Sequence, residues 1–344
     1  MNVREVARHV GVSTSTVSRV VNGKGPVSKS TRARVMKAVA ELKYHPNLHA
    51  RTLAGGWSRT LGAIVSNLEN PFFFDIFEGL ESSALAEGYE TMLADTGYEP
   101  ERLVAAIRLM IGRRVSGLAV LVSEMDPTLI QLLTDAEIPA VFYDVGTPVG
   151  RITNIAVNYR RGIEKIVEYL GSLGHERMAF VGHHATLGPI GERQRAFEEI
   201  AGRRAPRVEY RTIADADSFE GGQRATRELL GSGFQPTAFV CVNDVMAVGV
   251  LRQLREAGLR VPEDVSVTGF DNIRLSQFCF PPLTTVHIPR EQIGRIAFEC
   301  LRSRSHRTHS AGRSLVIDPE FIVRDSTGPA APNKVFGQTS YDQR

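Results

Sequence analysis

The chain contains no apolar run approaching the roughly 18 residues that a membrane-spanning helix needs, so no membrane partner is expected. The opening residues, MNVREVARHV, carry Arg4, Glu5 and Arg8 where an export signal needs an apolar core, and the expected location is the cytoplasm. Only three cysteines occur in 344 residues: Cys241, Cys279 and Cys300. They stand far apart, form no CxxC pair and show no Cys/His ligand spacing, so they read as small buried or half-buried thiols. A GxGxxG fingerprint, a P-loop, a GxSxG elbow and a metal-ligand cluster are all missing. Those absences remove the common enzyme signatures, and neither a cofactor nor a metal is expected.

Net charge is small, +3, but unevenly spread. Residues 1–60 hold eleven Lys/Arg against two acids, Glu5 and Glu41, a net +9. The remainder holds 30 Lys/Arg against 36 Asp/Glu, a net −6. A basic module on a mildly acidic body implies that the first part meets a polyanion. Charge alone is equally compatible with a solvated basic face.

Within that module Val3, Val6, Ala7 and Val10 recur at helical spacing and Gly11 ends the run. Ser13 can cap a second helix whose apolar side is Val17, Val20 and Val21. Ser28 can cap a third, with Val35, Ala38, Val39 and Leu42 in one stripe. Two short helices joined by a Gly-containing turn make a helix-turn-helix, and the third closes a small core. Further on, Asn47 can cap and Gly55 can stop a helix of about eight residues, too short to be stable alone in water. That segment reads as a hinge that folds on binding.

The runs VREVARHVGVSTSTVSRVVNG, VSKSTRARVMKAVAELKYHPN and ARTLAGG resemble the DNA-binding end of the LacI/GalR family. The resemblance implies a double-stranded DNA operator as partner and the second helix as the recognition helix. It implies base reading by Thr14, Ser15 and Arg19; hydroxyls suit mixed contacts, and a guanidinium can fork onto guanine O6 and N7. The hydroxyls of Thr14 and Ser15 also suit a plain helix start. Ser13, Thr16, Ser18 and Asn22 are expected at phosphates or as caps. Arg51 belongs to the hinge, and Leu53 takes the place of the family's minor-groove wedge.

From Leu61 onward, β-rich runs alternate with helical stretches: LGAIVSN, ETMLADT, VSGLAVLV and PAVFYDV, then RMAFVGH, VEYRTIA, AFVCVND and VSVTGFD. Such alternation implies parallel sheets covered by helices, here in two doubly wound lobes. Ligands in such folds sit beyond the carboxyl ends of the strands. Those ends read Asn67, Asp95, Asp144, His183, Asn243-Asp244 and Asp271-Asn272. TTVHIP at 284–289 and the later strands around 314–324 suggest three crossings between the lobes.

The body also resembles the family's core, which is similar to a periplasmic sugar-binding protein. Matching landmarks are Asn70-Pro71-Phe72-Phe73, Ile138-Pro139 ahead of Asp144, Gly174-His175 and Glu192-Arg193-Gln194-Arg195-Ala196-Phe197. Asn243-Asp244-Val245-Met246-Ala247, Gly269-Phe270-Asp271-Asn272 and Pro281-Pro282-Leu283-Thr284-Thr285 follow. The resemblance implies effector contacts from Asp144, Arg193, Asn243 and Asp271, with Phe72 and Phe73 as an apolar wall. Without it, Arg193 reads as a surface ion pair. An Arg and two Asp can fork onto neighbouring hydroxyls, which suits a carbohydrate. Two departures stand out. Ala196 replaces the usual Gly, and 215–222 is shorter than the loop that brings an aromatic platform to the ligand, so Phe219 is left outside the site. His183 and His184 are expected to face the cleft as polar contacts, not as metal ligands.

The expected organisation is a helix-turn-helix domain at 1–46, a hinge at 47–56 and a core at 57–327. The first lobe takes about 60–156 plus 288–311, and the second about 157–285 plus 313–327. A flexible tail at 328–344 lacks a leucine heptad, so no coiled-coil tetramer is expected. The function these features imply is a repressor that binds a palindromic operator as a homodimer under the control of a small, carbohydrate-like effector. A solute-binding protein would have no use for the basic first sixty residues. An enzyme on a doubly wound sheet is not excluded by fold alone.

Overall fold

The computed structural model describes residues 2–21, 25–44, 58–122, 127–144, 152–184, 188–204, 207–305 and 313–331. The hinge at 47–56, with Arg51 and Leu53, lies outside them, and so does Asn22. Two compact units emerge, residues 1–58 and 59–344.

The first unit is three helices: α1 (Val3–Val10), α2 (Thr14–Val21) and α3 (Lys29–Glu41). Asn2 caps α1 by accepting from the amides of Arg4 and Glu5, and Glu5 returns a carboxylate to the amide of Asn2. This reciprocal capping box satisfies donors that a helix start otherwise leaves unpaired. Gly11 ends α1 at φ 71°, a left-handed conformation that a side chain disfavours. Ser13 Oγ accepts from the Thr16 amide at 3.1 Å and so caps α2, while Ser28 caps α3. Arg34 closes the far end of α1 by donating to the Val10 carbonyl at 2.6 Å. Val6, Ala7, Val10, Val17, Val20, Val35 and Ala38 form the core.

The second unit begins with a lobe built on a six-stranded parallel sheet. Its strands are β1 (Thr60–Val65), β2 (Glu90–Asp95), β3 (Gly117–Leu121), β4 (Ala140–Tyr143), β5 (Ile152–Val157) and β11 (Ser314–Ile317), in the spatial order β11-β5-β4-β3-β1-β2. Both faces of the inner strands β1, β3 and β4 are buried, so these strands are nearly continuous apolar runs. Alternate residues serve opposite cores. Leu61, Val65, Ala119, Leu121, Val141 and Tyr143 pack with α4 (Pro71–Ala86) and α11 (Arg290–Ser305). Ile64, Leu118, Val120 and Phe142 pack with α5 (Pro100–Gly112) and α6 (Pro127–Asp135). Helices α4 and α11 approach backbone to backbone. A Cβ on Gly79 would collide with the Glu291 carbonyl, and one on Gly294 with the Ile76 carbonyl.

The second lobe carries the parallel sheet β7-β6-β8-β9, from β6 (Arg177–His183), β7 (Glu209–Asp215), β8 (Ala238–Cys241) and β9 (Ser266–Thr268). Helix α7 (Tyr159–Ser172) packs with α8 (Gly188–Gly202), and α9 (Phe219–Gly231) with α10 (Asp244–Glu256). A bridge from Thr268 to Thr284 brings β10 (Thr285–His287) beside β9, and β10 pairs antiparallel with β12 (Glu320–Ile322).

The chain passes between lobes three times, after β5, after β10 and between β11 and β12. The passes are tied together. Asn158 donates its side chain to Asp318 at 3.0 Å and its amide to the Ile317 carbonyl at 2.9 Å. Three sequence expectations need correction. Residues 313–317 belong to the first lobe, because β11 hydrogen-bonds along β5, so the final pass comes after Ile317 and not before 313. Strand β5 was not among the expected strands; its polar Thr153 and Asn154 are both buried. The tail's first residues are pinned: Gly328 O accepts from His175 at 3.0 Å, and the Ala330 amide donates to the Leu173 carbonyl at 2.8 Å.

Candidate functional site

In the first unit, α2 buries Val17 and Val20 and exposes Thr14, Ser15, Ser18 and Arg19 on the opposite side. Thr16 is half-buried. The Ser13 hydroxyl exchanges hydrogen bonds with Ser15 Oγ at 2.8 Å and Thr16 Oγ1 at 2.9 Å, so Ser13 and Thr16 serve the helix start. Ser15 shares in that cap while remaining exposed. Thr14 and Arg19 present donors and acceptors outward from a rigid helix, a stereochemistry suited to base edges in a major groove.

In the second unit a cavity opens between the lobes. Asn70, Phe72, Phe73, Tyr98 and Tyr143 line it from the first lobe. Pro189, Ile190, Arg193, Asp217, Asn243 and Asp271 line it from the second. Two helix starts face each other across it. Asn70 caps α4 by accepting from the Phe72 amide at 3.1 Å, and Asn243 caps α10 by accepting from the Met246 amide at 2.9 Å. Each turns its remaining amide nitrogen onto the same carboxylate, Asp217, at 3.3 Å and 2.5 Å. The Tyr98 hydroxyl donates to it too, at 2.5 Å.

Arg193 enters from α8. It donates to the Val242 carbonyl at 2.6 Å and pairs with Asp271 at 3.1 Å. Its guanidinium also lies over the rings of Tyr159 and Phe270. Burial pushes the Asp271 carboxyl up to about 6, although Arg193 and Arg290 pull the other way. Burial alone would lower Arg193, but the Asp271 carboxylate beside it raises it above its usual range. Arg193 Nε is buried without a hydrogen-bond partner in the protein, and the buried Asp271 Oδ1 is held by its ion pair with the Arg193 guanidinium. Arg290 anchors the back of the site: it donates to the carbonyls of Asp271 and Asn272 and to Asp75 of α4.

Five of the six residues expected to contact an effector line the cavity: Phe72, Phe73, Arg193, Asn243 and Asp271. Asp144 does not. It stands behind Tyr143, takes a hydrogen bond from the Val157 amide at 3.2 Å and one from Tyr159, and burial raises it to about 6. Its own left-handed conformation, φ 57°, ends β4 and turns the carboxylate back to β5. Asp217, Asn70, Tyr98 and Tyr143 were not anticipated at the cavity. Phe219 heads α9, partly exposed and outside the lining. The His183 ring lies 5.3 Å from that of Tyr98, and His184 is exposed. Among the described residues no group of three His, Cys, Asp or Glu could hold a metal, and no helix is long and apolar enough to cross a membrane.

Residues 2–47 match the family described as bacterial regulatory proteins, lacI family, and residues 167–327 match a periplasmic binding protein-like domain. The HTH-type transcriptional repressor PurR of Vibrio vulnificus is 35% identical over 331 residues, covering 94% of this chain and 98% of the relative. Its namesake in Photobacterium profundum is 32% identical over 326 residues, covering 94% and 98%. A lac repressor dimer bound to operator and the anti-inducer ONPF superposes with a TM-score of 0.84 at 30% identity, covering 95% of this chain and 99% of that one. The regulator CelR in complex with cellobiose gives 0.66 at 29% identity, covering 95% and 99%. A three-helix DNA-reading unit, a two-lobed core with a polar cleft and this full-length kinship together identify the chain as a member of the lacI family, a DNA-binding transcriptional repressor and not an enzyme.

Proposed function

We propose that the protein binds a near-palindromic operator as a homodimer, and that a carbohydrate held between the lobes controls its operator affinity. The observation that carries the effector reading is the cavity itself, where Arg193, Asp271, Asn243 and Asp217 meet the aromatic wall of Phe72, Phe73 and Tyr98. Forked donors and acceptors beside flat apolar rings suit a ring compound with several hydroxyls. The cellobiose complex of CelR and the ribose complex of a LacI family regulator from Enterococcus faecium, TM-score 0.71 at 26% identity, are consistent with it.

One recognition helix per chain and a repeat of about 34 Å between DNA half-sites call for two copies. Phe278 and Phe280 project from the second lobe 71% and 93% exposed, an apolar pair suited to a second copy of the chain. On DNA, Thr14, Ser15 and Arg19 read bases. Ser13, Thr16, Ser18, Asn22 and Arg51 sit at the backbone or brace the helix starts, and Leu53 wedges the minor groove from the hinge. The work is done in the cytoplasm, with the DNA.

A ligand shifts operator affinity only through its different affinities for two lobe arrangements. The expected coupling is about 1–3 kcal/mol, or roughly 5–150-fold. The test is operator affinity measured by fluorescence anisotropy against a panel of pentoses, hexoses and disaccharides, with nucleobases as the contrasting arm. A shift with a sugar and none with a nucleobase supports the reading; a shift with nucleobases alone sinks it.

A further inference from the structure

We infer that Asp217 is a latch across the cleft that also sets the charge of the effector: the site takes an uncharged polyhydroxyl compound and rejects anions. The inference rests on the cleft being the effector site, as proposed above.

Asp217 precedes α9 in the second lobe and is nine-tenths buried. Its oxygens accept from Asn70 and Tyr98 of the first lobe and from Asn243 of its own lobe. The seam between lobes is therefore acceptor on one side and donor on the other. With the latch shut the cavity leaves about 20 Å3, room for one water, against the roughly 300–1,000 Å3 of a typical ligand pocket. A ligand enters only by parting Asp217 from Asn70 and Tyr98.

Parting them leaves Asp217 with only its bond from Asn243 and takes that acceptor from Asn70 and Tyr98, which costs free energy unless the ligand replaces both bonds. A hydroxyl is donor and acceptor at once. It can give its hydrogen to Asp217 and accept from Asn70 or Tyr98, so two neighbouring hydroxyls restore every bond. An anionic group satisfies the donors but faces the Asp217 carboxylate with like charge in a poorly hydrated space. An ammonium satisfies Asp217 and leaves the donors unpaired. Arg193 offers an anion little relief, since Asp271 already neutralises it.

The experiment is titration calorimetry on the full-length protein with glucose, galactose, ribose and cellobiose, set against gluconate, glucose 6-phosphate and glucosamine. The wild type is expected to bind at least one neutral sugar, and the charged analogues at least about tenfold more weakly. Asp217→Ala is expected to lose about tenfold to hundredfold for that sugar and to bind the anions more tightly than the wild type does. Asp217→Asn, which preserves the side chain's size, is expected to change both in the same directions and covers the case in which the alanine variant does not fold. Wild-type binding of an anion as tight as of its neutral parent overturns the inference, as does an unchanged ligand order in both variants. Amide exchange without ligand tests the latch separately. Faster exchange at Phe72 and Met246 in the variants supports it, and unchanged exchange overturns it. If no neutral sugar binds the wild type, the effector reading and the selector role fall together, and the exchange data still decide the latch.

Discussion

Arg193 and Asp271 pair at 3.1 Å with side chains only 5% and 4% exposed, and the guanidinium lies 4.6 Å from the Tyr159 ring and 4.3 Å from the Phe270 ring, two rings that pack against each other at 5.9 Å. All four residues belong to the second lobe. The pair is thus preformed, and an effector meets it as a fixed dipole instead of assembling it.

Truncating Asp271 strands a buried cation. Asp271→Ala is expected to cost about 3–5 kcal/mol, and an alanine also tolerates poorly the φ of 104° found there. Asp271→Asn keeps the shape and tolerates that backbone better, so it is expected to cost less. Thermal unfolding separates the two; equal melting temperatures would show that the ion pair contributes nothing.

Arg19 is exposed on α2, away from the Val17 and Val20 core. Arg19→Ala is expected to leave folding intact and to weaken operator binding by about 1–3 kcal/mol, relaxing base preference at one position per half-site. Binding-site selection from a randomised duplex pool measures this. A selected consensus identical to the wild type's removes Arg19 from base reading.

Three buried carboxyls sit above the ordinary 3.8: Asp144 and Asp271 at about 6 and Asp244 at about 8, each raised chiefly by burial. A raised carboxyl stabilises the fold fully below its unfolded value, and that contribution is lost as pH climbs through the folded value. Melting temperature without ligand is therefore expected to fall between pH 5 and pH 8.5, by about 2–4 °C for each kcal/mol lost. Asp244 accepts from Thr285 Oγ1 at 2.5 Å and from the Ile273 amide at 2.8 Å. Asp244→Asn is expected to flatten the upper part of that decline; a slope as steep as the wild type's rejects Asp244 as its source.

Phe280→Ser is expected to weaken self-association. Burying a phenylalanine stabilises by about 1.5–3 kcal/mol, and a two-fold interface uses each residue twice. Sedimentation equilibrium gives the dimer constant, and an unchanged constant would assign the dimer contact elsewhere.

Much of this was legible in the sequence because it is local. Ser13 and Ser28 mark helix starts by their own hydroxyls, Gly11 ends α1 through its own backbone, and eight strands announce themselves as apolar runs between turn formers. Resemblance carried Arg193, Asn243 and Asp271 to the cleft, since motif positions hold where the fold holds. Local signals fail where an element is defined by its neighbours. Residues 314–317 read as part of the second lobe, and only their pairing along the edge of β5 assigns them to the first. Strand β5 was not among the expected strands, and the burial of its polar Thr153 and Asn154 depends on the sheet around them.

The sequence by itself determined the helix-turn-helix, the two alternating α/β lobes and the polar strand ends that point to a cleft, because each follows from periodicity, caps and turn chemistry within a few residues. Only the tertiary structure decided what the cleft contains. Asp217 meets Asn70, Tyr98 and Asn243 across 147, 119 and 26 residues of chain, and no local pattern encodes such a meeting. Asp144 has the same residue type at a strand end, yet its left-handed turn ties it to Val157 and removes it from the cavity wall. The chemistry of a side chain is written in the sequence, but whether it faces a ligand, a helix end or another carboxylate is set by which strands and helices close around it.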